Sequence, residues 1–305
     1  MTDTDATTTP QPTDPLHRQD DESHALRHSS KRFGDKLYKG LATGSGTLIL
    51  IILAAVATFL IGLSLPALTA DAAELQYGEF WSYALPFAFG TVWAAALAMV
   101  FAVPVAIGIA LFIVLYAPRP LATTLAFITD LLAAVPSIIF GLLGLAVFLN
   151  TMNMPRSAPI VGGLTLALMT LPVIVIASRA AIKAVPPSIR DAALGIGASP
   201  VQVVFHHVLP LALPGMLTGT ILGMARALGE TAPLLMIGMR AFLTSVPQGF
   251  TQPATALPVQ IFIWSDNVSR GFVEKTSGAI IVLLLFLLMI NSLAIYLRNR
   301  FEVRW

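Results

Sequence analysis

Several uninterrupted apolar runs, each longer than the roughly 18 residues that cross a bilayer as a helix, constrain this chain more than any other feature. A sliding window finds six: about Thr43–Leu65, Phe87–Tyr116, Leu121–Leu149, Pro159–Ser178, Ala212–Met239 and Gly278–Leu297. The second and third are long enough to tilt or break, and Pro104 and Pro136 lie inside them. Composition agrees: 56% of the 305 residues are hydrophobic and only 11% charged, with a mean hydropathy of +0.80. Soluble domains are about one quarter charged. The expected fold class is an all-α integral membrane protein with about six transmembrane helices. A net charge of +2 gives no reason to expect a nucleic-acid partner. With no cysteine, disulfides, thiolate metal sites and cysteine nucleophiles are excluded.

The first forty residues differ. Met1 to Pro15 are rich in Thr, Asp and Pro, so residues 1–40 are expected to form a disordered cytoplasmic tail, followed by a membrane domain over 41–305. No apolar stretch resembles the core of a secretory signal, so no cleaved leader is expected. His24 and His28 have the i, i+4 spacing of a zinc pair but lack the metalloprotease glutamate, and a polar tail is the better reading.

Lysine and arginine set the orientation. Arg27, Lys31, Arg32, Lys36 and Lys39 precede the first span, and Arg119 follows the second. Arg179, Lys183 and Arg190 lie between the fourth and fifth, and Arg298, Arg300 and Arg304 follow the sixth. With six spans all of these fall on one side, leaving Arg156, Arg240, Arg270 and Lys275 on the other. The basic side is the cytoplasm, so both termini are expected inside.

The longest inner loop, about 181–210, separates the fourth and fifth spans. Pro186 and Pro187 suit a helix start, with Asp191 in or near the first turn. Ala192, Ala193 and Gly197 leave a small-residue surface, and Ser199-Pro200 can cap and open a second short helix. Two short helices with a sharp bend at Gly197 make a docking element for a cytoplasmic partner.

The fifth span carries the only arginine in the interior of any of these runs. Counted along an unbroken helix from Ala212, Arg226 falls near the bilayer midplane, where a charge costs at least about 2.5 kcal/mol and normally faces protein. Gly219, Gly223, Arg226 and Glu230 are spaced to share one helix face, and Gly215, Gly219 and Gly223 repeat a close-packing pattern. Arg226 and Glu230 fit either a self-neutralising ion pair or an anion site, since guanidinium suits phosphate and sulfate oxygens.

These segments resemble the permeases of ABC importers. Their cytoplasmic loop has Glu-Ala-Ala, three residues, Gly, nine residues, then Ile-x-Leu-Pro; here Asp191-Ala192-Ala193, Gly197 and Leu209-Pro210 match. Asp191 keeps the charge of Glu, and His207 stands at the Ile position. Arg226-Ala-Leu-Gly229-Glu230-Thr231-Ala232-Pro233-Leu234-Leu235 is similar to the signature of phosphate-specific members, and its Thr-Ala-Pro continuation resembles the A-type subunit. Leu257-Pro-Val-Gln-Ile-Phe262, Ala133-Ala-Val-Pro-Ser-Ile-Ile-Phe-Gly141 and Gly90-Thr91 extend the likeness from about Pro86 to the C-terminus.

The resemblance implies a MetI-like architecture in a bacterial inner membrane. It places Arg226, Glu230 and Thr231 on the substrate pathway and makes the loop the coupling element. It implies four kinds of neighbour: a second homologous permease, two cytoplasmic ABC ATPases carrying ATP and Mg, an extracytoplasmic phosphate-binding protein, and the bilayer. The mixed outer segment Arg240–Thr276 is expected to meet the binding protein. No Gly-x-x-x-x-Gly-Lys-Ser/Thr loop or catalytic constellation is present, so the chain is expected to have no ATPase site and no cofactor of its own. Sulfate or molybdate import would use the same arginine. A secondary carrier is a rival of another class, but the two halves show no repeat of the kind common in such carriers.

Overall fold

The computed structural model describes residues 15–69, 79–240, 246, 249–267 and 269–301, with side chains from residue 34 onward except 297 and 301. The chain divides into two units, residues 1–59 and 60–305. Among the described residues everything regular is helical apart from one antiparallel bridge, Arg240 with Thr255.

Helix α1, Pro15–Thr69, holds the first apolar run. It starts well upstream of Thr43, so residues 15–40, expected as an unfolded tail, are helical here. Glu22, Ala25, Leu26, Arg27 and Lys31 are good helix formers, and a helix continuing from an apolar span has no nucleus to form anew. Residues 1–14 lie outside the described residues.

In the second unit, α2 (Phe80–Leu111) continues through a π-helical stretch to Tyr116. Pro104 sits inside it without breaking it. It stops where Pro118 disfavours a helical Ala117, which is extended at φ −70°, ψ 136°. Helices α3 (Arg119–Ala133) and α4 (Ser137–Gly144, with a π-helical extension to Thr151) replace the single third span and meet at 96°. The break falls at Pro136, whose ring would clash with the carbonyl of Leu132 in a continuous helix.

Helix α5, Pro159–Ala184, is central. Ala94, Ala98, Ala102, Ala106 and Ala110 make a buried stripe at four-residue spacing on α2, which packs on α5. Helix α6 spans Pro187–Gly195. The next helix is continuous over Pro200–Gly229 and comprises α7 (Pro200–Gln202), a π-helical stretch Val203–Val208 and α8 (Leu209–Gly229). The second short helix expected at Ser199-Pro200 is therefore the start of the next long one. The glycine pattern on α8 packs as its spacing implies: a Cβ on Gly215 would meet Ala181, one on Gly219 Ala177, and one on Gly223 Ile174, all on α5. Three elements follow, α9 (Ala232–Met236), α10 (Leu257–Ser265) and α11 (Arg270–Phe301).

Among the described residues five helices are long and apolar enough to cross a membrane, and the bent α3/α4 pair is a candidate sixth. Geometry shows where that pair goes. Arg119, at the start of α3, and Lys183, at the end of α5, line one cavity and so lie at the same end of the bundle. Helix α5 is 26 residues long, about 39 Å, so its start lies at the opposite end. The α3/α4 pair must therefore carry the chain from one end to the other, which makes it a crossing rather than a re-entrant hairpin.

Candidate translocation site and coupling loop

The helix bearing Arg226 ends at Gly229. Continuing it would drive the Pro233 ring into the Gly229 carbonyl, so the chain opens at Glu230 (φ −76°, ψ 132°) and restarts at Ala232 with Pro233 in the first turn. Arg226 thus occupies the last turn of α8, where the helix dipole favours a cation. Its Nε donates to Glu230 Oε1 at 3.3 Å, with side chains 36% and 17% exposed. This corrects two expectations. The span assumed over Ala212–Met239 is interrupted, which removes the basis for a midplane depth. Glu230 also lies beyond the helix, so the pair closes across the break and not along one helix face. The half-buried Thr231 (φ −112°, ψ −49°) makes no capping bond with its side chain. Arg226, Glu230 and Thr231 therefore gather at one helix break, and among the described residues a single long hydrogen bond holds the guanidinium.

Helix α9 is wedged against α4. A Cβ on Gly141 would lie 2.6 Å from Pro233 Cα and 3.0 Å from Met236 Cβ, so only glycine allows this approach. Gly141 closes the Ala133–Gly141 segment and Pro233 belongs to the Arg226–Leu235 segment. Two stretches singled out separately in the sequence thus form one contact. A third joins them from α2: Thr91 Oγ1 accepts from Leu257 N at 2.8 Å, and Gly90 lies directly beneath the Thr255 carbonyl. Thr255 Oγ1 donates to Met239 O at 3.2 Å and accepts from the buried Gln260 Nε2 at 3.1 Å. Ser157 Oγ also donates to Gly238 O, fastening the α9 exit to the loop before α5.

The loop between α5 and the next long helix keeps the predicted bend. Helix α6 is capped by Pro186 and opens with Pro187; Asp191 lies just past its first turn. Gly197 turns the chain at φ +90°, a region L-residues rarely adopt. Ser199 then caps the next helix in a reciprocal capping box with Gln202. Asp191, Ala192 and Gly197 are exposed, whereas Ala193 is buried beneath them. Leu209 and Pro210 fall where the π-helical stretch becomes α8, Leu209 half-buried and Pro210 exposed. Leu194 and Ile196, 47% and 85% exposed, give the loop an apolar tip.

One charged pair had no predicted partner. Arg179 Nη1 reaches Asp130 Oδ1 at 3.3 Å and Ala126 O at 3.2 Å, tying α5 to α3. The residues are 49 positions apart, beyond any local spacing rule. Of the outer segment Arg240–Thr276, residues 241–245, 247, 248 and 268 lie outside the described residues.

A family model for the inner membrane component of binding-protein-dependent transport systems matches residues 102–305. The chain belongs to this family. The phosphate transport system permease protein PstC 2 of Mycobacterium tuberculosis (strain ATCC 25618 / H37Rv) is 35% identical over 238 residues, covering 68% of this chain and 74% of the relative. The phosphate transport system permease protein PstA 1 of the same strain is 30% identical over 210 residues, covering 69% and 68%. Relatives named for both subunit types thus match, and they do not divide A-type from C-type for this chain. A bacterial alginate ABC transporter, solved with an alginate pentasaccharide-bound periplasmic protein, shares the fold. It gives a TM-score of 0.65 at 17% identity over 90% of this chain and 97% of that one. An amino acid ABC transporter aligns at 0.55 and 19% identity, over 72% and 94%. The chain is a multi-pass permease subunit of ABC-importer architecture.

Proposed function

We propose that this chain is an A-type permease subunit of an ATP-driven inorganic phosphate importer in a bacterial cytoplasmic membrane. The observation that carries the reading is the guanidinium of Arg226 at the helix break, part-exposed and held by one 3.3 Å bond to Glu230. It lies in a segment that resembles the signature of phosphate-specific permeases, and the relatives named above bear that function. A guanidinium so loosely held can exchange Glu230 for phosphate oxygens through charge-assisted, bidentate hydrogen bonds. Glu230 limits the affinity by competing for it, which a carrier needs in order to release its cargo. Thr231 adds a hydroxyl beside the pair.

In this reading the chain has no ATPase site or cofactor of its own. Two ABC ATPases, with ATP and Mg, grip the loops around Asp191, Ala192, Ala193, Gly197, Leu209 and Pro210. A second permease completes the path, and an extracytoplasmic phosphate-binding protein delivers the anion. The test is uptake of labelled phosphate and sulfate by proteoliposomes holding the assembled complex, with ATP inside and binding protein outside. Phosphate uptake that depends on this chain and persists in excess sulfate is expected. Accumulation of sulfate instead of phosphate would overturn the cargo.

A further inference from the structure

The cavity between α2, α3 and α5 has a composition that translocation does not use. It measures about 400 Å³ and is walled by Ile113, Val114, Ala117 and Ala122, with Arg119 and Lys183 also lining it. Its other wall residues are Thr123 and Ala126. Among the described residues no carboxylate lines it. The nearest acid on these helices in sequence, Asp130, is engaged by Arg179, which also binds the Ala126 carbonyl. Arg119 and Lys183 form no ion pair among the described residues. Thr123 donates its hydroxyl proton to the Arg119 carbonyl at 3.0 Å, which leaves the guanidinium and the ammonium as the donors for a guest. Phe112, Tyr116 and Leu121, each next in sequence to a wall residue, expose large apolar surface.

We infer that this cavity is a site for the phosphate group of an anionic phospholipid, held between Arg119 and Lys183 with its acyl chains on the neighbouring apolar surface. Two uncompensated cations over apolar walls at one end of a helix bundle suit an anionic headgroup. They suit a zwitterionic one poorly, because its own ammonium would approach Arg119 and Lys183. Free inorganic phosphate offers the same oxygens but gains nothing from the apolar walls. Through its contacts to both α3 and the last turn of α5, such a lipid would brace the base from which α6 projects. The site stands apart from the Arg226 reading and does not depend on the cargo.

Native mass spectrometry of the full-length protein, titrated with phosphatidylglycerol or phosphatidylcholine of equal chain length, tests this. Wild type should prefer phosphatidylglycerol by about tenfold or more, since each basic residue at a membrane surface contributes about that factor's square root or better. The Arg119→Gln, Lys183→Gln variant should lose the preference, while Arg119→Lys, Lys183→Arg and the distant Arg156→Gln should keep it. Equal binding of both lipids by wild type, a preference that survives double neutralisation, or an equal loss in Arg156→Gln would overturn the site. Displacement of phosphatidylglycerol by millimolar inorganic phosphate would assign the cavity to the free ion and overturn the lipid.

Discussion

Arg226 carries the sharpest question at the scale of single residues, because its bond to Glu230 fits two roles. If the pair only neutralises itself, removing both charges leaves a quiet, packed helix end. If the guanidinium exchanges Glu230 for the transported anion, removing the arginine costs uptake whether or not Glu230 is neutralised with it. Arg226→Gln should lower phosphate uptake roughly 10–100-fold with the complex still assembled, the range of a lost hydrogen bond to a charged group at about 1.5–3 kcal/mol. Glu230→Gln should disturb uptake by leaving Arg226 without its resting partner. The Arg226→Gln, Glu230→Gln double variant decides between the roles. Near-normal uptake would make the pair structural; continued loss is the expected result. The spacing of the two residues was legible in the sequence, but their geometry was not. Pro233 does imply a helix end four residues upstream, at Gly229, and that signal could have placed Glu230 outside the helix.

Among elements, the loop at α6 and the wedge of α9 against α4 invite separate tests. Gly197 turns at φ +90°, where a Cβ costs about 1–2 kcal/mol, yet open space surrounds it. Gly197→Ala should therefore leave insertion intact while shifting α6 against the helix that starts at Pro200. Gly197→Glu should add a charge at the exposed bend. Both should reduce uptake, the glutamate more, with phosphate-stimulated ATP hydrolysis falling alongside. Unchanged hydrolysis and uptake in Gly197→Glu would remove the coupling role. Gly141 differs, since its neighbour is the rigid Pro233 backbone. Gly141→Ala should destabilise the fold by about 1–3 kcal/mol through overpacking, read as a lower midpoint of thermal unfolding. An unshifted midpoint would mean that α9 yields freely. The α6 start at Pro187, the turn at Gly197 and the cap at Ser199 were all readable, because prolines, a glycine and a capping residue act locally. The α4–α9 wedge was not: Gly141 and Pro233 lie in separate helices, and helical periodicity says only which face of each is small. The π-helical stretches left no local signature either. Nor did the pairing of Arg179 with Asp130, which depends on how α3 and α5 happen to lie.

For the whole molecule the open quantity is the number of crossings, because its parity fixes which side each terminus faces. The bent α3/α4 pair decides it. Arg119 and Lys183 share one cavity while α5 is about 39 Å long, so α3 and α4 together must join opposite ends. Helix α11 fits the same frame. Its early residue Ala279 packs with Phe80 at the start of α2, the end remote from Arg119, so Arg298 and Arg300 return to the basic end. The positive-inside rule then predicts that Arg119, Lys183, Arg190, Arg298 and Arg300 face the cytoplasm together. The expected result is that a single cysteine at Trp305 reacts with an impermeant maleimide only after the membrane is opened. A cysteine at Asp266, between α10 and α11, should react in intact cells. The chain has no native cysteine, so each label reports one site. Labelling of Trp305→Cys in intact cells would mean an odd number of crossings between the ends and would overturn the six-span topology, and with it the cytoplasmic placement of the α6 loop.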